Sequence, residues 1–260
     1  MCLFFLNFMR ADQLLVDRGL AASRSQAQRL IAAGLSWRVG MGPWKAVGKN
    51  RDELPEAAEL QLQDAAEARY VSRGGLKLEG ALRSSGVDPT GLVCLDVGQS
   101  TGGFTDCLLQ HGAAHVVGVD VGHGQVHARV RADERVECIE GVNARALQAE
   151  DLGDALPQAG FGLIVGDLSF ISQTLVLPAI VPLLAEDGSL LMLVKPQFEL
   201  QPGQVGKGGI VRDDAMYPIV RARIEDCCAD LGLAVAGWWD SAISGGDGNR
   251  EFWILGRKKT

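Results

Sequence analysis

A handful of residues near the middle of the chain have types and spacing that could hold a small molecule. Asp96 ends an apolar run, Gly98 permits a tight turn, and Gly102 and Gly103 follow within LVCLDVGQSTGGF, residues 92–104. The pattern predicts a strand running through a glycine turn into a helix, with backbone left open to a ligand. Asp120 closes the next apolar run, HVVGVD, 24 residues after Asp96, where a ribose-binding carboxylate is expected. Together these residues fit a nucleoside-containing cofactor. A phosphate-binding P-loop would need Lys after Gly103, but Phe104 stands there, and the dinucleotide spacing G-x-G-x-x-G is absent. S-adenosylmethionine carries no phosphate and needs room, ribose hydrogen bonds and polar groups for its amino-acid end, so it fits best. A glycine turn that only packs a helix, beside two incidental acids, would use the same residue types.

Other residues could move a proton. Asp167 sits one residue past FGLIVG, Lys195 comes directly after SLLMLV, and Glu251 opens EFWIL. Crevices in open parallel sheets lie outside the carboxyl ends of the strands. If the last strand is antiparallel, its start lies on that same edge, and the three charged residues converge on one rim. Isolated charges at strand ends otherwise form surface ion pairs. His123 and His127 have the spacing of helix metal ligands, but no Cys or acid completes a set, so they read as core or surface residues and no metal is expected. Lys207 and Arg212 lie in PQFELQPGQVGKGGIVRD, which reads equally as a lid or an ordinary loop.

These residues need a scaffold. Strand and helix patterns alternate from residue 91 onward, which predicts a parallel sheet with helices on both faces. The expected strands are 92–96, 115–120, 136–140, 161–166, 189–194, 233–239 and 251–256. The expected helices are 102–111, 124–131, 144–150, 172–185 and 214–231, with Pro178 and Pro182 disturbing the fourth.

The first part of the chain reads differently. RADQLLVDRGLAASRSQAQRLIAAG, residues 10–34, predicts two short helices, one ending at Gly19 and one running from the N-cap Ser23, with Gln26 three places on, to Gly34. Leu14, Leu15, Leu20, Ala27, Leu30 and Ile31 would form the shared apolar faces, leaving Arg18, Arg24, Gln28 and Arg29 outside. Residues 10–51 hold eight Lys or Arg against Asp12 and Asp17, whereas residues 52–67 hold six acids and no base. That shift marks the end of a module and a linker. The whole chain is acidic, with a net charge of -7, yet a local basic face can bind a polyanion. Trp37 and Trp44 among Arg38, Lys45 and Lys49 suit base stacking beside phosphate contacts. A basic helical hairpin for protein contacts is the alternative.

Length and a 47% hydrophobic content fit one large domain plus a small one. Six Cys form no C-x-x-C pair, which fits a reducing cytosol. The apolar start MCLFFLNF has no basic residue before it and no small-residue cleavage site, so it reads as neither signal peptide nor membrane span, and Met9 is the expected first residue.

Residues 10–34 resemble the alpha-L RNA-binding motif of a small-subunit ribosomal protein, although Val39-Gly40-Met41 replaces the usual Val-Asn-Gly turn. From Met9 to Arg257 the chain resembles TlyA-type proteins, in which an alpha-L module precedes an FtsJ-like ribose 2'-O-methyltransferase domain. The matching segments are SRGGLKL, LDVGQSTGGFTD, VGVDVGHGQ, NAR, GDLSFIS, LVKPQFE, VGKGGIVRD and GNREFWIL. The resemblance implies an α/β fold: a Rossmann-like, seven-stranded class I methyltransferase domain, last strand antiparallel, preceded by a small α+β RNA-binding domain. It divides the chain into an alpha-L domain at 9–67, a linker and helix carrying Lys77 at 68–90, and the methyltransferase domain at 91–260. It implies S-adenosylmethionine bound by Asp96, Gly98, Ser100, Thr101, Gly102, Gly103, Phe104, Asp120, Val121, Asn143 and Asp167. The implied partner is ribosomal RNA or a ribosomal subunit in the cytoplasm, contacted by Arg10, Arg18, Arg24, Gln28, Arg29, Arg38 and Lys45, with no membrane and no metal. The family's catalytic tetrad falls on Lys77, Asp167, Lys195 and Glu251. Gln99 stands where small residues are more usual and is expected to crowd or hydrogen-bond the cofactor. Amino-methylating relatives carry Pro-Pro after the fourth strand; Asp167-Leu168-Ser169-Phe170 lacks it, which speaks for oxygen as acceptor.

A ribose hydroxyl is a weak acid, so its methylation needs a base as well as alignment. A free Lys has a pKa of about 10.4, and Lys77 close to Lys195 would favour the neutral amine on one of them. Lys195 is therefore expected as base, Asp167 as its orienter, and Lys77 and Glu251 as substrate positioners. A non-catalytic RNA-binding ribosome-assembly factor is the competing function. A haemolysin, as some relatives are called, would need an export signal and an amphipathic or apolar membrane element, and the sequence offers neither.

Overall fold

A computed structural model describes residues 7–21, 23–62, 69–245 and 248–259. The chain divides into two compact units, Met1–Leu76 and Lys77–Thr260.

In the first unit, β1 (Phe8–Arg10) leads into α1 (Ala11–Asp17) and α2 (Arg24–Gly34), followed by β2 (Leu35–Arg38), β3 (Lys45–Ala46), β4 (Glu53–Pro55) and β5 (Glu59–Leu62). The second helix starts where its cap predicts: Ser23 Oγ accepts from the Gln26 N–H at 3.2 Å. The apolar faces of the two helices meet, and Leu14, Leu15, Leu30, Ile31, Leu35 and Leu54 are buried together. Leu20, expected among them, is 37% exposed. β1 pairs with β4, and β2 lies between β3 and β5. The acidic stretch, expected as the end of the module and a linker, forms the strands β4 and β5 within residues 53–62. Leu54, Leu60 and Leu62 pack on the core, and burying them outweighs the surrounding charge. The rest of the expected linker, residues 63–68, lies outside the described residues. The helix α3 (Gly74–Ser85) follows and carries Lys77.

The second unit is built on β6 (Val93–Val97), β7 (His115–Asp120), β8 (Val136–Glu140), β9 (Phe161–Gly166), β10 (Leu184–Val194), β11 (Leu233–Asp240) and β12 (Phe252–Lys258). They form one seven-stranded sheet in the order β11-β12-β10-β9-β6-β7-β8. β6 to β10 run parallel, and β12 is antiparallel to both of its neighbours. Strands covered on both faces need near-continuous apolar runs, and Leu95, Val117, Ile164, Leu190, Met192 and Val194 are accordingly buried. The strand order reverses between β6 and β9, which opens the binding crevice of such folds at their carboxyl ends.

Helix lengths differ from expectation in the connections. α4 (Gly103–Gln110) and the long Met216–Asp230 helix fall within a residue or two of the predicted spans. Of 124–131 only α5 (Ala128–Arg131) is helical, because Gly122 and Gly124 give their N–H groups to the Asp120 and Glu140 carboxylates instead of to a helix. Residues 144–150 become a 3-10 turn, Ala144–Ala146, and α6 (Ala149–Leu152). Pro178 and Pro182 divide the fourth into 3-10 turns around α7 (Leu177–Ile180). A further one-turn helix, α8 (Pro196–Glu199), follows β10; the long helix is α9.

Candidate active site

The loops after β6 and β7 form a cradle. Gly98 and Gly102 sit at φ 84° and 89°, in the left-handed region that favours glycine. A Cβ on Gly98 would stand 3.2 Å from the Asp167 carbonyl, and one on Gly102 would stand 3.0 Å from Val130, so both turns are also sterically closed to larger residues. Asp120 ties the loops together: one carboxylate oxygen accepts from the Ser100 N–H and the other from the Gly122 N–H, each at 2.7 Å. Asp96 is buried, and its Oδ2 accepts from both the N–H and the Oγ1 of Thr105. Its Oδ1 is buried with no hydrogen-bond partner among the described residues. Burial pushes this carboxyl up to about 7, against the Thr105 hydrogen bonds and with help from Asp167 and Asp120. With exposed Ser100, Thr101 and Asn143 around Asp120 and no lysine in the turn, the cradle fits a phosphate-free nucleoside ligand such as S-adenosylmethionine.

Ser100, Thr101, Val121 and Asn143 lie exposed on the loops around this cradle, and Gly103 opens α4. Two side chains here turn away from the cradle. The Phe104 ring is buried, 5.7 Å from the Trp253 ring; it faces the core side of α4 and not the cradle. Gln99 also turns inward, is 4% exposed and donates to Thr105 Oγ1 at 2.9 Å. Gly118, which lacks a side chain, leaves the space that the Gln99 amide fills.

The four expected catalytic residues form two ion pairs. Lys77 Nζ lies 2.5 Å from Glu251 Oε2, and both side chains are buried. Lys195 pairs with Asp167 and donates to Ser169 Oγ at 2.9 Å. Strand register brings the pairs together: Val194 is opposite Phe252, so Lys195 and Glu251, each one residue further out, share the rim on which Asp167 follows β9. Burial raises the Glu251 carboxyl, opposed by Lys77, with smaller effects from Asp167 and Lys195. Each lysine has its own carboxylate, so the two ammonium groups do not meet uncompensated as expected from the sequence.

Three more residues of this rim are not singled out by the sequence. Phe170 holds a left-handed φ of 64° with its ring 91% exposed, 5.1 Å from the Phe198 ring. Gln173 and Glu199 are buried between the β9 and β10 exits. Glu199 stands among other polar residues, Lys195, Gln197 and Gln201, and backbone strain at Phe170 leaves no signal, so none of the three is marked in the sequence. The loop holding Lys207 and Arg212 is tied down at its far end, where Asn249 accepts from the Val211 N–H and donates to the Gly209 carbonyl. Both charged residues are exposed. His127 Nδ1 accepts from the Arg129 N–H, and among the described residues no His, Cys, Asp and Glu are grouped to hold a metal.

In the first unit the expected RNA contacts divide. Arg10 and Arg24 converge on Asp12, which is fully buried, so one acid pre-orients two cations. Arg18 donates to the carbonyls of Glu56 and Ala58, which gives it a structural task in place of the free surface position expected. Arg38 pairs with Glu59 and lies over the Trp44 ring, while Lys45 lies over Trp37. Those rings thus carry cations on one face. Gln28 is exposed and Arg29 partly so.

Residues 70–258 match the family described as FtsJ-like methyltransferase. The 16S/23S rRNA (cytidine-2'-O)-methyltransferase TlyA of Mycobacterium tuberculosis is 43% identical over 255 residues, covering 96% of this chain and 90% of its own. Hemolysin A of Brachyspira hyodysenteriae is 38% identical, covering 94% of this chain and 98% of its own. A solved structure from Streptococcus thermophilus, of a protein proposed to be a hemolysin, superposes with a TM-score of 0.73 at 38% identity, over 98% of this chain and 90% of that one. With this identity along nearly its whole length, the chain belongs to the TlyA family and its second unit is an FtsJ-like methyltransferase.

Proposed function

We propose that the chain methylates ribose 2'-hydroxyls in ribosomal RNA, with S-adenosylmethionine as methyl donor. The observation that carries this reading is the meeting of the Lys77–Glu251 and Lys195–Asp167 pairs on the rim beside the Asp96 and Asp120 loops. The similarity to the 16S/23S rRNA (cytidine-2'-O)-methyltransferase of Mycobacterium tuberculosis supports it.

Asp96, Gly98, Ser100, Thr101, Asp120, Val121 and Asn143 would hold the cofactor, which supplies an electrophilic methyl group. Lys195, in its amine form, accepts the proton of the 2'-hydroxyl, and Asp167 then stabilises the ammonium that results. Ser169 Oγ fixes the direction of the Lys195 Nζ lone pair. Lys77 and Glu251, buried and mutually neutralised, position the hydroxyl without adding net charge to the rim. Phe170 offers an exposed aromatic face on which a base beside the reacting ribose can stack. Residues 9–67, with Arg10, Arg24, Gln28, Arg29, Arg38 and Lys45, act as the RNA-binding module; a ribosomal substrate places the work in the cytoplasm. Among the described residues no helix is long and apolar enough to cross a membrane.

The test is labelled methyl transfer to intact ribosomes, separate subunits and naked rRNA, followed by mapping of 2'-O-methyl sites. Transfer to base nitrogen or carbon, or to protein, would overturn the reading.

A further inference from the structure

Two buried polar side chains near the rim have no part in the chemistry above. Glu199, at the end of α8, is 2% exposed. Its Oε1 accepts from the Gln173 N–H at 2.8 Å and its Oε2 from Ser172 Oγ at 2.5 Å. Gln173 is equally buried and reaches the other way, donating through Nε2 to the Leu193 carbonyl at 2.6 Å. The two contacts therefore cross. One runs from four residues after Lys195 to the loop that begins with Asp167, and the other runs from that loop back to two residues before Lys195.

The segment held by this brace needs holding. Between Asp167 and Ser172 lies Phe170, whose left-handed φ is strained in a non-glycine residue and persists only where the surroundings over-determine it. Ser169, which receives the Lys195 ammonium, is its neighbour. The brace fixes the loop against the β10 exit independently of the Lys195 contacts themselves.

We propose that Gln173 and Glu199 are positioning residues, which set the placement of Asp167 and Ser169 against Lys195 by cross-linking the β9 and β10 exits. The proposal rests on the methyltransferase reading of that pair for its kinetic consequence, but not for its structural one. A misplacement of about 1 Å at a reacting group can cost about 100-fold in rate. Glu199→Ala removes both acceptors and is expected to lower kcat roughly 10- to 100-fold, with the KM for rRNA and the affinity for S-adenosylmethionine little changed. Glu199→Gln keeps an acceptor for the Gln173 N–H and can donate to Ser172 Oγ, so it is expected to restore most of the turnover.

The experiment uses the full chain and adds Val116→Ala, a core variant at the amino end of β7 near the opposite edge of the sheet, as a control for general destabilisation. Amide hydrogen exchange, which does not depend on turnover, is followed in the same proteins. Faster exchange confined to residues 167–173 and 195–199 in Glu199→Ala, with a kcat loss exceeding that of Val116→Ala and rescue by Gln, supports the brace. Unchanged exchange in those segments, a kcat loss no greater than the control's, or a Gln variant as impaired as the Ala variant overturns it. If wild-type protein shows no transfer to any rRNA substrate, the function proposed above fails, and hydrogen exchange alone then decides the brace.

Discussion

Gly118 of β7 lies so close beneath the carboxamide of Gln99 that a Cβ on it would stand 2.1 Å from the Gln99 amide. The two positions therefore specify each other. Gly118→Ala is expected to destabilise the protein by about 1–3 kcal/mol through overpacking. Gln99→Ala alone loses the bond to Thr105. The double variant should be more stable than the sum of the single losses implies, with a coupling of roughly 0.5–3 kcal/mol. Denaturant titration of the four proteins measures it, and simple additivity would show that the close approach is relieved elsewhere.

Asp96 should impose a pH dependence on stability. Its folded carboxyl titrates at about 7, whereas an unfolded Asp titrates near 3.9. Between those values the folded state holds a proton that the unfolded state has lost, so raising the pH across this window favours unfolding. Asp96→Asn removes the contribution. The melting temperature of the variant relative to wild type should therefore rise from about pH 4 to about pH 7 and then level off. A difference that stays flat over that range would mean that the carboxyl is ionised throughout.

For Lys195 the decisive substitution is Lys195→Arg. Guanidinium keeps the charge and can still pair with Asp167, but it does not deprotonate at any working pH. Turnover should fall about 10²- to 10⁴-fold, the usual worth of general-base catalysis, while cofactor and RNA binding persist. An Arg variant that retains substantial turnover and the wild-type pH profile would make Lys195 a positioning group.

The Lys77–Glu251 pair allows stability and activity to be separated. Removing one partner of a buried pair typically costs about 3–5 kcal/mol, whereas replacing both with apolar residues of similar size is often neutral or stabilising. Glu251→Ala should thus be strongly destabilised, and Lys77→Met with Glu251→Leu should recover most of the loss. Methyl transfer should be lost in both. If the double variant, refolded and stable, still methylates rRNA, the pair is structural only.

How much of the fold and the site can be read from the sequence depends on the kind of residue. β7, β8 and β9 are legible to the residue because a buried parallel strand must be an apolar run, and Asp167 and Lys195 are placed by the ends of such runs. Gln99 misleads because a side chain at a glycine turn can swing to either side, and only the gap above Gly118 decides which. The acidic residues 53–62 are legible only as the end of a module: their composition hides the strands that the spacing of Leu54, Leu60 and Leu62 makes. Arg18 looks like a free cation because a sequence does not show where carbonyls are left over. Phe104 borders the cradle through its backbone, and nothing local reveals that its ring turns to the core. Gln173 and Glu199 interact across 26 residues, a distance at which no local pattern operates.

The antiparallel β12 has a consequence for the order in which the protein can become active. It lies inside the sheet, between β10 and β11, and brings Glu251 to the rim from a late part of the sequence. Lys77, made much earlier, must wait without the carboxylate of Glu251, and β11 without the strand it bonds to. The Lys77–Glu251 pair and the outer edge of the sheet can therefore be completed only after the last strand has been made.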